Sequence, residues 1–208
     1  MRKLFGNYEM NWKRLIVFSL IAGIYTALIN CVPFLSNTSF QDIAITYEWW
    51  VVFALIIVTN CRKPLEAGLK CFVFFLISQP LVYLVEAVLG KITLDDGIRF
   101  YRQMWMFMTV LTLPGGFIAW YAKKDNFIGS LILGIGDAII LMMGVHFTYV
   151  LAGNFPYHLL SAVFCFVCSI MLPLFIIKSK KYQTVAILVS YLLTGAVTLY
   201  ALANHLAL

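Results

Sequence analysis

Apolar residues in this chain come in runs as long as a bilayer is thick, separated by short polar segments. The runs cover roughly 15–34, 46–60, 68–89, 102–121, 127–151, 157–177 and 183–204. A helix rising 1.5 Å per residue needs about 20 apolar residues to cross a hydrocarbon core roughly 30 Å thick. Polarity does not alternate with period two inside the runs, so they predict helices rather than the strands of a barrel. The expected fold is all-α: a polytopic membrane helix bundle of seven transmembrane helices forming one domain over residues 1–208. The run at 46–60 is short unless it begins near Ile43. The loops are short except 35–45 and 90–101, the latter long enough for an interfacial turn before the fourth run. Seven spans could be two three-span units around a linker span, although no residue-level repeat relates 15–89 to 127–204.

Composition agrees with this pattern. Hydrophobic residues make up 62% of the chain and charged residues 12%, against about 25% charged in soluble domains. Only a helix bundle or a closed barrel satisfies its backbone in lipid. Charge then sets the direction of crossing. Arg2, Lys3, Lys13 and Arg14 precede the first run; Arg62, Lys63 and Lys70 follow the second; Lys123 and Lys124 follow the fourth; Lys178, Lys180 and Lys181 follow the sixth. Twelve of the fifteen basic residues thus fall at one end. The other end holds Lys91, Arg99 and Arg102, offset by Asp95 and Asp96. This bias predicts a cytoplasmic N-terminus and an extracytoplasmic C-terminus. The first run is too long for the core of a signal peptide, and Asn30-Cys31-Val32-Pro33 is a poor cleavage site, so it is read as a retained span. The net charge of +6 suits anionic lipid. Spread over four loops without a soluble domain, it builds no nucleic-acid groove. The chain is expected in the plasma (inner) membrane, and its Ile-, Phe- and Lys-rich composition points to a bacterial source.

Polar residues inside the runs mark the candidate chemistry. Asp137 is the one charged residue near the middle of a run, where a carboxylate costs about 2.5–3.5 kcal/mol on insertion scales. It shares a helical face with Ser130, Gly134, Gly144 and Thr148, a stripe suited to close helix packing. Other stripes are Ser19, Gly23, Thr26 and Asn30; Gln79, Tyr83 and Glu86; Thr109, Thr112 and Gly116; and Tyr191, Thr194 and Thr198. Counted from the span ends, Asp137, Gln79 and Thr112 all lie roughly 15 Å deep. Pro80 and Pro114-Gly115-Gly116 break two spans near that level, and interrupted helices often frame transporter sites. Glu48 and Glu86, with Asp42, Asp95 and Asp96, would make the mouth at the acidic-loop end acidic, a vestibule for cations or a protonatable gate. Tyr47, Trp49, Trp50, Trp105, Trp120 and Tyr121 read as an interfacial belt. His158 and His205 fall near span ends and read as interfacial. His146 lies half a turn away from Asp137, with an axial offset of about 13 Å, so the two cannot form a dyad within one helix. Five cysteines imply no disulfide framework, and Cys165 and Cys168 read as packed core.

Gly134-Ile135-Gly136-Asp137 resembles the GxGD signature of intramembrane aspartyl proteases. The resemblance implies a second aspartate on another span, sharing a proton with Asp137 to activate water. No other aspartate lies inside a span, and the Pro-Ala-Leu motif of presenilin-like members is absent. The leading expectation is a small membrane permease, or the solute-binding membrane subunit of one. Its substrate-binding residues would be Asp137, Gln79 and Thr112 near the midplane, with Asn30 and Glu86 toward the outside. The expected partners are the lipid bilayer and a small solute or proton. No cofactor or metal is expected. An intramembrane protease and a non-catalytic subunit docking on a partner subunit are the alternatives.

Overall fold

A computed structural model describes residues 5–6, 8–154 and 158–204. Arg2, Lys3 and His205, like the first residue of the predicted span 157–177, lie outside the described residues. The helices in chain order are α1 (Trp12–Cys31), α2 (Ser39–Ile45), α3 (Tyr47–Thr59), α4 (Pro64–Val88), α5 (Leu94–Phe100), α6 (Met106–Ala119), α7 (Phe127–Asn154), α8 (Leu159–Ile176) and α9 (Lys180–Ala203). Helix α5 runs through a wide turn at Tyr101–Trp105 into α6 and a tight final turn, making one apolar unit from Leu94 to Lys123. The fourth span therefore starts earlier than its apolar run suggested. That unit and α1, α4, α7, α8 and α9 are six helices long and apolar enough to cross a membrane. The chain is a multi-pass helical protein of a lipid bilayer.

Helix starts follow local chemistry. The Asn11 side chain accepts from Arg14 N at 2.9 Å and opens α1. At α4, Pro64 occupies the first turn while Glu66 accepts from the backbone N–H of Arg62 (2.8 Å) and Lys63 (3.3 Å). Pro80 and Pro114 do not break their helices, contrary to the sequence expectation: α4 and α6 run on through both. Packed neighbours tolerate the lost backbone bond. The interruption lies at Thr46 instead, an extended residue between α2 and α3 (φ −107°, ψ 161°). Helix α3 has 13 residues, about 20 Å. Together α2 and α3 reach between the same two ends as α1, since Gln41 bonds Asn30 at one end and Met10 N bonds the Asn60 carbonyl at the other.

Two triplets make the bundle. Helix α4 packs on α1 and α6, α7 packs on α8 and α9, and α3 sits between α4, α6 and α7. This division differs from the three-one-three grouping. The first triplet closes at glycines. A Cβ on Gly23 would lie 2.8 Å from the Ser78 carbonyl, and one on Gly116 would lie 2.9 Å from Cys71 Cβ. Phe18, Phe53 and Phe74 join α1, α3 and α4 with ring centroids 5.1–6.2 Å apart. Trp50 (3% exposed) joins that cluster, and Trp120 (9%) donates to the Cys61 carbonyl at 2.9 Å. Neither belongs to an interfacial belt: in a thin bundle the largest rings fill the core between helices. At the basic-loop end Asn60 Oδ1 accepts from Gly6 N and Tyr8 N (3.1 and 2.9 Å), Lys70 donates to the Met10 carbonyl, and Lys123 donates to the Cys61 carbonyl.

Two substitutions separate tight from open glycines. Gly23→Val should destabilise the bundle by roughly 1–3 kcal/mol through overpacking. Gly195, whose added Cβ meets nothing within 4 Å, should tolerate alanine and gain up to about 1 kcal/mol of helix propensity. Thermal unfolding in detergent measures both.

Candidate functional site

One face of α8 carries Ser161, Cys165 and Ser169, four residues apart so that they stack in a line, with Cys168 three residues beyond Cys165 at its edge. Three carboxyl groups from other helices meet that line at successive depths. Nearest the acidic-loop end is Asp42 of α2, 3% exposed. Its Oδ2 accepts from Ser161 Oγ at 2.7 Å and pairs with His158 Nδ1 at 2.9 Å. Ser161 N donates to Ser39 Oγ at 3.2 Å, fastening α2 onto α8. The His158 ring stacks on Phe147 of α7 at 5.9 Å and 13°. His158 is therefore an anchored partner of a buried acid, not an interfacial residue.

Glu48 comes next, in the first turn of α3 and fully buried. The Thr46 hydroxyl lies 2.5 Å from its Oε1 but has its single proton shared with the Asp42 carbonyl, and Oε2 has no hydrogen-bond partner. The break between α2 and α3 thus brings a carboxyl group inside, within electrostatic range of the Cys165 thiol. Trp49 stacks on Phe164 of α8 at 4.0 Å and holds this junction shut. Cys168, one turn further along, lies within range of both Glu48 and Asp137.

Asp137 is the deepest of the three and fully buried. Neither of its carboxyl oxygens has a hydrogen-bond partner. Its polar neighbour is Ser190 of α9, whose hydroxyl donates to the Ile187 carbonyl at 3.1 Å. Thr194 of α9 donates to the Ala138 carbonyl at 3.4 Å. Glycines in the stripe bring the helices this close. A Cβ on Gly134 would sit 2.7 Å from the Ala186 carbonyl, and one on Gly144 would sit 2.9 Å from Cys165 Cβ. Ser130 and Gly134 are buried with Asp137, but Thr148 is exposed at the far end of the stripe. No second carboxyl group stands beside Asp137 among the described residues, so the paired acids implied by the GxGD resemblance are not assembled there. Ionisable groups inside membrane spans are rare and face bundle interiors or watery cavities, and Asp137 faces the interior beside the Ser190 hydroxyl with no counter-charge.

The other residues singled out from the sequence lie elsewhere. Asn30 Nδ2 donates to Glu86 Oε1 at 2.5 Å, Gln41 Nε2 donates to Asn30 Oδ1 at 3.1 Å, and Lys91 donates to the Asn30 carbonyl. These contacts latch α1, α2 and α4 at the acidic-loop end. Gln79 is 2% exposed on α4, and its amide nitrogen has no partner. Thr112 is half-buried on α6 and donates to the Thr109 carbonyl at 2.6 Å. Asn30 and Glu86 are thus brought together, while Gln79 and Thr112 lie apart from them, and among the described residues no hydrogen bond joins Asp137 to the other four. Of the acids expected at that mouth, Asp42, Glu48 and Glu86 are buried, each at most 4% exposed, while Asp95 is exposed and Asp96 pairs with Arg99 at 2.9 Å. Among the described residues no group of three His, Cys, Asp or Glu is placed to hold a metal. What the sequence reading missed is the inward turn of Asp42, Glu48 and His158. Its only trace there is a helical i, i+3 pair, Ser39 and Asp42, before a glutamate that opens an apolar run. Comparison of the chain with protein-family models, curated proteins and solved structures finds no significant match.

The Asp42–His158 pair should behave as a buried couple. His158→Phe leaves Asp42 with one hydroxyl donor and should cost about 3 kcal/mol. Adding Asp42→Asn should recover part of that loss. Chemical unfolding of the single and double variants in micelles tests the coupling, and additive losses would show that the pair carries none.

Proposed function

We propose that this chain is a small proton-coupled permease, or the membrane subunit of one, working in the plasma membrane. The observation that carries the reading is the pair of fully buried carboxyl groups, Glu48 and Asp137, each with unpartnered oxygens, along one face of α8. Ionisable groups within membrane spans face bundle interiors and mark ion or proton pathways. Asp42 with His158, then Glu48, then Asp137 form a series from the acidic-loop end toward mid-depth, with the Cys165 and Cys168 thiols between them. The basic-loop end is the cytoplasmic side in this reading, and α2 with α3 makes the seventh crossing, so the C-terminus is extracytoplasmic. The interrupted α2–α3 segment is the gate: Thr46 and Glu48 sit at its break, as binding groups do at the broken helices of transporters. Proton exchange at Asp137 requires α7, α8 and α9 to separate far enough to admit water or a neighbouring carboxyl. The transported solute would move with that rearrangement.

Infrared difference spectra of the protein in vesicles, taken across a pH titration, should show two buried carboxylic acids changing protonation. Asp137→Asn should remove one band and Glu48→Gln the other. Proton flux into the same vesicles under an imposed potential should fall to the protein-free background in Asp137→Asn. Wild-type bands in both variants, with unchanged flux, would remove the two acids from any mechanism.

A further inference from the structure

Helix α2 joins the two triplets by different chemistry on its two flanks. It is a seven-residue segment between two non-helical joints, Asn37 in the left-handed region (φ 58°) and the extended Thr46. Toward α1 and α4 its contact is neutral. Gln41 donates to Asn30, and the Gln41 amide oxygen accepts from Asn37 N at 2.7 Å. Behind Asn30 stand Glu86 and Lys91, which bond Asn30 and not α2. Toward α8 the contact runs through Ser39 and Asp42, one helical turn apart, and it includes a histidine, the side chain that ordinarily changes charge near neutral pH.

Helix α8 depends on that second flank. His158, its N-cap residue, makes no side-chain capping bond. The first-turn N–H of Ser161 is taken by Ser39 Oγ of α2 instead, and Asp42 places a carboxyl where a helix N-terminus favours negative charge. The His158 side chain is 15% exposed, so protons reach it, while that of Asp42 is 4% exposed. Phe147, stacked on the imidazole, holds Nδ1 toward the acid. Other groups face the pair from each packed element. Glu48 of α3 lies within electrostatic range of Asp42, and Cys165 of α8 within range of both acids. From α7 comes the apolar Phe147, with His146 next to it in the chain. With His158 protonated, Asp42 has a counter-ion. With His158 neutral, Nδ1–H can still donate, but Asp42 is left a buried anion with a second acid in range.

We propose that Asp42 and His158 form a pH-dependent clasp: protonated His158 holds α2 against α8, and deprotonated His158 lets α2 swing away about its contact with Asn30. A clasp held by the charged imidazole is complete below the histidine's titration and weakens as pH rises through it. Acid at the acidic-loop end therefore keeps α2 shut over Glu48, and neutral or alkaline conditions loosen it. The release is partial, because Ser39 and Ser161 carry no titrating group. The use of the clasp rests on α2 with α3 being the gate: it closes the route to Glu48 and Asp137 when protons are abundant on that side. The movement itself needs no transported solute.

Spin labels on Phe40→Cys of α2 and Leu160→Cys of α8 report the gap between the two helices, since both positions are exposed and line one small cavity. The full chain carries them in a Cys31→Ser, Cys165→Ala, Cys168→Ala background, whose remaining cysteines are buried. In vesicles, pulsed dipolar spectra should show a short distance at about pH 5.5 and a second, longer one at about pH 8. The longer share should rise about fivefold, the difference between a charge-assisted and a neutral hydrogen bond. Labels on Phe40→Cys and Val88→Cys of α4 should move less, because Gln41 stays on Asn30. His158→Gln keeps a donor for Asp42 and should give one spectrum at both pH values. Asp42→Asn should no longer close at acid pH, and His146→Gln should respond as the parent chain does. A parent spectrum that is the same at both pH values, or a shift that survives in His158→Gln, would overturn the clasp. A pH-dependent distance without proton flux keeps the clasp and removes the permease; flux without a distance change does the reverse.

Discussion

Close approach at glycine governs this bundle. Lipid tails are as apolar as leucine, so burying apolar surface does not drive one membrane helix against another. What remains is dispersion between surfaces that fit, with a few polar contacts. Every principal contact in the structure uses this device: Gly23 between α1 and α4, Gly68 and Gly116 between α4 and α6, Gly134 between α7 and α9, and Gly144 between α7 and α8. Each of these glycines meets neighbouring atoms closer than a Cβ would allow. The consequence for the candidate site is direct. Helices this close leave no room for water, so the polar groups that share their faces are dry. Asp137 is unsolvated because Gly134 and Gly144 stand on either side of it.

Helix α7 therefore has two characters. One flank is closed by Gly134 and Gly144 against α9 and α8, with Asp137 trapped between. The other carries Gly136, where the same residue type leaves space unfilled. The contrast depends on the partner and not on the glycine: α9 and α8 offer a carbonyl and a Cβ at the contact, whereas α6 stands off. Helix α3 touches α4, α6 and α7, and α2 touches α1 and α8, so the interrupted α2–α3 segment is in contact with both triplets. Its Glu48 side belongs to the carboxyl line and its Trp50 side packs on Phe74 and Phe75 of α4. Any motion that changes the break at Thr46 acts on both.

The fold was legible where the bilayer dictates it. Run length and the lack of period-two alternation follow from hydrocarbon thickness and backbone satisfaction, which are indifferent to which helix touches which. Six of the seven runs are helices long enough to cross. Run 46–60 is the 13-residue α3, separated from α2 by the break at Thr46. The candidate site was legible only in part. Asp137 could be placed on an inward face because its own helix fixes the angle to Ser130 and Gly134. Asp42 and Glu48 could not, because their burial depends on how α2 folds back on α8, a tertiary choice that leaves no period in the sequence. Gln79 and Thr112 share a depth with Asp137, but depth is one coordinate of three, and they face other neighbours.

Whether unpartnered acids deserve a functional reading turns on how this same chain treats acids elsewhere. Glu86 is buried and bonded to Asn30, and Asp42 is buried and held by His158 and Ser161. Those two are what polar glue looks like: the donors are on facing helices and the acid ties them together. Glu48 is half-satisfied by Thr46, and Asp137 has a hydroxyl beside it that is turned to a backbone carbonyl. Packing alone would be served better by an apolar residue at either place, since an acid without donors contributes nothing across the interface and carries the cost of its burial. Interhelical bonding therefore accounts for Asp42 and Glu86 and leaves Glu48 and Asp137 unexplained. The proton exchange proposed for them would make use of that lack of fixed partners.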